Sequence, residues 1–367
     1  MKRHILYIGW VGFGNLGDDL CQDLFVEKIT EKAQGQGIDL TVTALFPPTD
    51  FDEYQLWQRR PHLVVLGAGS LIEPLYLRPL VLAQQQGIPT AIWGSGHDGL
   101  SLEELKILQQ GGRLDPFNFD PDTAYALRQC VGKVDAIGLR GPYTVGFLDT
   151  IGVTHPAIDI CGDPGLLLAP SGQKPPQDLG HLLASSKPMV AVNWGTAFNR
   201  VYGGDEGAVG AQLARVLKEL QDPFTFLIYP LWDKDLPACR ALAKACGQVR
   251  LLDRVPTRRE LVNIYQQSSL SINMKLHGNV FSAALGCPFI SLAYRSKSFD
   301  FAASLDCLEL VVPFDAEDLA EALTEKIVML SQKGDDYRTK LISKGGSYRQ
   351  RLDRLLERMG TLLAAGR

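Results

Sequence analysis

With 367 residues, 46% of them hydrophobic and 21% charged, the chain can bury two ordinary cores at about 150 residues per domain. Its net charge of −4 excludes a global attraction to nucleic acid, so any basic site must be local. Seven cysteines, with neither a Cys-x-x-Cys pair nor histidines at metal spacing, point to a reducing cytoplasm and away from disulfides and zinc. No run is long enough to span a bilayer. The apolar stretch Ile5 to Ile8, behind a basic flank, ends too soon in a glycine turn to serve as a signal peptide.

In chain order, short apolar runs alternate with helix-like segments, the pattern of a parallel α/β sheet. Strands are predicted at 5–8, 40–44, 63–66, 90–93, 136–139 and 157–160, then at 189–193, 224–229, 249–252, 270–273, 289–293 and 308–312. Between the two series, the proline-rich stretch from Pro170 to Pro176 can continue neither element and is the natural linker. The expected division is therefore 1–172, 173–335 and a helical tail, 336–367. In the tail, Tyr348, Leu352, Leu355, Leu356, Met359, Leu362 and Leu363 recur at helical spacing, with Arg349, Arg351, Arg354 and Arg358 on other faces. This is a packed amphipathic helix or a membrane-surface helix.

In an open parallel sheet the ligand crevice lies at the carboxyl ends of the strands, and several polar groups follow such ends here. Gly12, Gly14 and Gly17 satisfy G-x-G-x-x-G, but the second strand runs into Leu45-Phe46-Pro47-Pro48 without the acidic residue that would hold a ribose hydroxyl. A loop lining the substrate, with Asn15 in the turn and Asp18 or Asp19 capping the helix, fits better. Gly96 and His97 lie in another glycine turn, which exposes backbone N–H groups or merely holds a loop histidine. Arg140 ends a strand before Pro142, where its guanidinium would emerge to grip a carboxylate or phosphate, or form a structural ion pair. Asp163 either organises its turn or acts as ligand or base. Trp194, Tyr229 and Trp232 are placed to stack on sugar or to pack.

The densest set comes from two adjacent strand ends, Met274-Lys275-Leu276-His277-Gly278 and Tyr294-Arg295-Ser296-Lys297. With neighbouring strands about 5 Å apart, Lys275, His277 and Lys297 can converge on one small anion.

Together, Gly14-Asn15-Leu16-Gly17-Asp18-Asp19, the Arg140 block with Thr144, Leu148 and Gly152, Gly162-Asp163-Pro164, Leu276-His277-Gly278 and Tyr294-x-x-Lys297 resemble the polysaccharide pyruvyltransferase family over most of the chain. The resemblance implies an α/β fold of two Rossmann-like domains facing a central cleft, as in GT-B enzymes. It further implies transfer of a pyruvate unit from phosphoenolpyruvate to two hydroxyls of a sugar in a cell-surface or extracellular polysaccharide or its precursor, giving a ketal and phosphate. Carried over by position, His277, Arg140 and Lys297 are the catalytic candidates. Lys275, Leu276, Gly278 and Arg295 join Arg140 and Lys297 around the donor, and Gly14, Asn15, Asp18, Asp19, Gly96, His97 and Asp163 line the acceptor or cleft. Lys275 stands where the family commonly has arginine.

Phosphoenolpyruvate would be a co-substrate, with no other cofactor and no metal. The acceptor glycan is either free or lipid-linked, and the location is cytoplasmic, with peripheral association at the inner membrane face as a further option. A nucleotide-sugar-dependent GT-B glycosyltransferase and a non-catalytic glycan-binding relative are the alternatives. Without the acidic ribose partner, titration with NAD or NADP is expected to show no saturable binding, and a tight isotherm would refute that expectation.

Overall fold

The structure is a computed structural model that describes residues 1–47, 58, 60–198, 200–202 and 205–365. It divides into two compact units: Met1–Phe13, Asp18–Pro164 and Ser347–Arg367 form the first, and Gly14–Gly17 with Gly165–Gly346 form the second.

The first unit is built on a five-stranded sheet of β1 (Lys2–Ile8), β2 (Asp39–Leu45), β3 (Leu63–Leu66), β4 (Thr90–Ser95) and β5 (Ala136–Leu139), in the order β2-β1-β3-β4-β5. All its pairings are parallel. Buried strands of this kind carry apolar residues on both faces, as the fully buried Leu63, Val64, Val65 and Leu66 of β3 do. The strand expected at 157–160 is reduced to a single bridge between Ile160 and Leu139. Gly162, at φ 77°, and Pro164 then turn the chain away from the sheet.

The second unit carries β6 (Met189–Asn193), β7 (Thr225–Tyr229), β8 (Arg250–Leu251), β9 (Leu270–Asn273), β10 (Phe289–Ala293) and β11 (Val311–Pro313). Their order is β11-β10-β9-β6-β7-β8, again with parallel pairings. This is the Rossmann order, and the chain reverses direction across the sheet between β6 and β9. The expected strand 308–312 is split: Leu308–Leu310 winds into a 3-10 turn and only Val311–Pro313 pairs with β10.

The units part at Pro164/Gly165 instead of 172/173. Leu166 and Leu168 are already buried, and the carbonyl of Lys174 accepts a hydrogen bond from Arg259 of the second unit. The tail is not a separate segment. One helix runs from Leu319 to Ala365, interrupted at Lys333, and from Ser347 onward it belongs to the first unit. Leu352, Leu356, Met359 and Leu363 are buried along one face. Arg3 Nε donates to the Leu363 carbonyl at 2.7 Å, Arg351 Nη1 donates to the Ile160 carbonyl at 2.9 Å, and Lys32 bridges Asp353 at 2.8 Å. Among the described residues no helix is long and apolar enough to cross a membrane.

The buried face of the tail dominates its contribution to stability. Leu352→Ala should cost about 2–5 kcal/mol in denaturant unfolding, whereas Arg358→Ala on the exposed face should stay within about 0.5 kcal/mol. Equal effects would mean that the helix does not hold the first unit together.

Candidate active site

In the second unit, the turns after β6 and β9 meet at the point where strand order reverses. Asn193 ends β6, and its Oδ1 accepts the Lys275 N–H at 3.1 Å. The Lys275 ammonium donates to the Thr196 carbonyl at 2.6 Å and lies 3.0 Å from the carboxylate of Asp235, which is completely buried. The same carboxylate accepts the Thr196 N–H at 3.0 Å. A Cβ on Gly195 would come within 3.0 Å of Asp235, so the backbone must be bare there. Burial pushes the Asp235 carboxyl above its usual range, and the Lys275 charge pulls it back down. The positive charge of Lys275 is thus largely spent within the protein. The sequence pointed to Lys275 but not to Asp235, whose one visible sign was an acidic run, Asp233-Lys234-Asp235, just beyond a strand end.

Lys275 also caps the helix Leu276–Ala284 by its backbone alone, since that helix has no side-chain N-cap. His277 sits in its first turn, 8% exposed, with its ring nearly parallel to that of Phe281 at 5.7 Å. Opposite it lies the glycine loop. Asn15 forms an antiparallel bridge with Trp232, and the Leu16 N–H donates to the Leu231 carbonyl at 2.9 Å. This seats Gly17 against the His277 imidazole, where any Cβ would come within 3.0 Å of Nδ1. Two motifs some 260 residues apart in the chain are therefore halves of one packed element. Beneath it, the Tyr265 hydroxyl donates to the Gly278 carbonyl at 2.8 Å and lies 2.6 Å from the Tyr229 hydroxyl.

The next strand end carries the remaining cations. β10 pairs with β9, and Arg295 is the N-cap position of the helix Ser296–Ser304, again without a side-chain cap. Lys297 stands in the first turn with its ammonium 4.9 Å from the Tyr294 ring centroid, and both Arg295 and Lys297 are half-buried. Arg295 and Lys297 thus stand at a helix N-terminus on the strand end next to the one that leads to His277, and helix N-termini favour anions. Of the two alternatives for Tyr229 and Trp194, stacking on sugar or packing, burial at 0% and 4% exposure selects packing in the core. Trp232 is half-buried beneath Lys234, whose ammonium is 4.7 Å from the ring centroid.

In the first unit Arg140 does not emerge from the sheet edge as expected. Its side chain is fully buried, and Nη1 donates to the Gly69 carbonyl at 3.3 Å and the Ser70 hydroxyl at 3.2 Å, while Nη2 donates to the His97 carbonyl at 3.1 Å. A Cβ on Gly96 would strike the guanidinium, which explains that glycine. The His97 N–H donates to Thr144 Oγ1 at 3.0 Å, and its ring stacks on Phe147 at 3.9 Å. Arg140 therefore ties together the turns that follow β3 and β4. Asp19 Oδ1 accepts the Gly12 N–H at 2.7 Å, and Asp18 is half-buried beside Gly69. Asp163 is fully buried, with the Cys21 thiol 3.9 Å from its Oδ1. Gly14 and Asn15, grouped with these residues from the sequence, pack instead in the second unit.

A family model described as polysaccharide pyruvyl transferase matches residues 15–296. No curated protein sequence matches the chain. Among solved structures, S. aureus MnaA with UDP is similar at a TM-score of 0.61 and 11% identity, covering 93% of this chain and 91% of that one. The Neisseria meningitidis UDP-GlcNAc 2-epimerase bound to UDP-GlcNAc is similar at 0.60 and 12% identity, covering 97% and 100%. The trehalose 6-phosphate synthase from Burkholderia multivorans is similar at 0.60 and 13% identity, covering 100% of both chains. At these identities the likeness shows the fold, an α/β architecture of the GT-B kind.

The Lys275–Asp235 pair is testable through stability. Removing one partner of a buried pair strands the other, so Lys275→Met should cost about 3–5 kcal/mol, and adding Asp235→Asn should recover more than half of it. Because burial raises the Asp235 pKa, the native state holds that proton to higher pH than the unfolded chain does. Its contribution to stability therefore falls as pH rises from the unfolded value of about 3.9 through the raised native one. Lys275→Met should steepen that fall and Asp235→Asn should abolish it in melts between pH 4 and 7. A Lys275→Met protein as stable as wild type would show that the pair does not hold these turns.

Proposed function

The chain belongs to the polysaccharide pyruvyl transferase family, and on that premise we propose that it moves a pyruvate unit from phosphoenolpyruvate to a sugar of a cell-surface or extracellular polysaccharide or its precursor. What supports the choice of donor is that His277, Arg295 and Lys297 all lie at the starts of the two helices that follow the paired strands β9 and β10. Phosphoenolpyruvate presents a carboxylate and a phosphate on a three-carbon frame. Its recognition needs several fixed positive groups in a small space. Lys297 and Arg295 supply charge to the donor. Lys275, shared with Asp235, holds the turn that aims the helix beginning at Leu276, and Arg140 orders the turns of the first unit. Gly14, Asn15, Asp18, Asp19, Gly96, His97 and Asp163 serve the acceptor side or shape its surroundings.

In the proposed reaction C3 of the enol takes up a proton and C2 becomes electrophilic. One sugar hydroxyl attacks C2, the bond from C2 to the phosphate oxygen breaks, and the second hydroxyl closes the ketal. Of the two hydroxyl protons released, one balances the proton now in the methyl group and the other leaves with phosphate. His277 handles a proton in this sequence, at C3 or at the acceptor hydroxyl. Gly17 keeps its ring in place, since a side chain there would displace it.

Phosphoenolpyruvate acts as co-substrate with no further cofactor or metal, because the basic side chains supply the charge. The acceptor is a glycan, free or lipid-linked. The proposed location is the cytoplasm, with peripheral association at the inner membrane face where a lipid-linked acceptor requires it. All seven cysteines are free and buried thiols, which suits a reducing compartment.

Phosphate should be released from phosphoenolpyruvate only when a glycan acceptor is present, with a product heavier by one pyruvate ketal. His277→Gln should lower turnover by roughly 100-fold or more while donor binding changes little, and Lys297→Met should chiefly raise KM for phosphoenolpyruvate. Near-normal turnover of folded His277→Gln would remove its proton role. Sugar transfer from a nucleotide donor, with phosphoenolpyruvate inert across the acceptor panel, would overturn the function itself.

A further inference from the structure

At the carboxyl edge of the first sheet, three neighbouring strands each lead to an aromatic ring in one place. Trp10 follows β1, Phe46 follows β2, and Tyr76 lies in the helix Pro74–Gln85 after β3. Phe13, from the glycine turn, completes the group. Phe46 is the floor, 6% exposed, with Trp10 edge-on at 4.7 Å and 75° and Phe13 edge-on at 4.8 Å and 71°. Trp10 and Phe13 lie 5.2 Å apart, and Tyr76 approaches Phe46 at 6.2 Å. Phe13 is 40% exposed, and Trp10 and Tyr76 are half-buried, so the cluster is open to solvent on the sheet edge where ligands of parallel α/β units bind.

Acidic groups lie close to these rings. Asp18 and Asp19 begin the helix after the turn, and Asp19 holds the Gly12 N–H. Burial, with the charges of Glu73 and Asp18, pushes the Tyr76 phenol up to about 12, so it remains a hydroxyl that can donate. Carboxylates accept hydrogen bonds from hydroxyls and repel phosphates. These carboxylates disfavour a phosphate in their immediate neighbourhood. A pyranose instead offers a face of C–H bonds for the negative faces of aromatic rings and a rim of hydroxyls for the carboxylates.

We propose that Trp10, Phe13, Phe46 and Tyr76 form a platform that binds one pyranose ring of the acceptor glycan, its C–H face on Phe13 and Trp10 and its hydroxyls toward Asp18 and Tyr76. Binding here deepens the function proposed above and rests on its acceptor side. The platform makes Trp10 and Phe13 specificity-determining residues, because equatorial and axial hydroxyls leave different C–H faces for the rings to cover.

The test is saturation-transfer NMR on the full-length protein with the methyl glycosides of glucose, galactose, mannose, N-acetylglucosamine and N-acetylmannosamine. At least one should receive saturation mainly on its ring C–H protons. Phe13→Ser and Trp10→Ser should each weaken that glycoside about tenfold or more, which corresponds to about 1.4 kcal/mol, while Phe13→Tyr should bind like wild type. No transfer to any of the five, or transfer unchanged in Phe13→Ser, overturns the platform. Thermal shift with phosphoenolpyruvate on the same proteins keeps the two readings separate. Glycoside binding without a phosphoenolpyruvate shift would remove the donor and leave the platform, and a phosphoenolpyruvate shift without glycoside binding would do the reverse.

Discussion

A lysine ammonium 3.0 Å from a fully buried carboxylate holds together the turns at the switch point of the second sheet. Without Lys275, the Asp235 charge would stand in the interior uncompensated. Without Asp235, the segment from Asn193 to Thr196 would lose both the acceptor of its own N–H and the anchor of the lysine it binds. The helix that carries His277 starts at the residue after Lys275, so the direction of that helix depends on the pair. A buried ion pair gains little net stability over an apolar replacement, but it fixes the geometry of the turns it joins.

Close approach is the second constraint. His277 and Arg140 are large polar side chains packed where neighbouring backbone leaves no room for a Cβ, at Gly17 and at Gly96 respectively. This gives the two glycine-containing motifs a physical task other than phosphate binding. Gly17 belongs to a G-x-G-x-x-G run, yet it serves an imidazole. Gly96, in a turn that either exposes N–H groups or holds a loop histidine, makes space for a guanidinium that bonds to the carbonyls of Gly69 and His97. Arg140 thereby ties the turns at the edge of the first sheet together.

The two sheet edges differ in chemical character. The second unit brings cations and helix N-termini to the ends of β9 and β10. The first brings aromatic rings and carboxylates to the ends of β1, β2 and β3. By charge alone, an anion suits the former and a neutral polyol the latter.

The strands were legible because their apolar runs are local and their burial is complete, as in Leu63 to Leu66 or Leu270 to Asn273. The order of strand-end motifs was enough to mark the family, and His277 and Lys297 stood out because each follows its strand within a few residues. The elements that misled were those whose state depends on a distant partner. The stretch 157–160 is apolar enough for a strand but forms only the bridge to Leu139, and the 336–367 tail is part of a longer helix, Leu319–Ala365, whose last turns contact Arg3, Lys32 and Ile160. The sequence by itself determined the alternating α/β architecture and which residues reach the strand ends, since periodicity and turn chemistry act over a few positions. Only the tertiary structure decided how each charge and ring is spent, with Lys275 against Asp235, Arg140 under the Gly69 and His97 turns, Trp194 and Tyr229 in the core, and Trp10, Phe13, Phe46 and Tyr76 together at an open edge. The physical reason is that these partners lie tens of residues apart in the chain, and their meeting is fixed by sheet order, which no local pattern encodes.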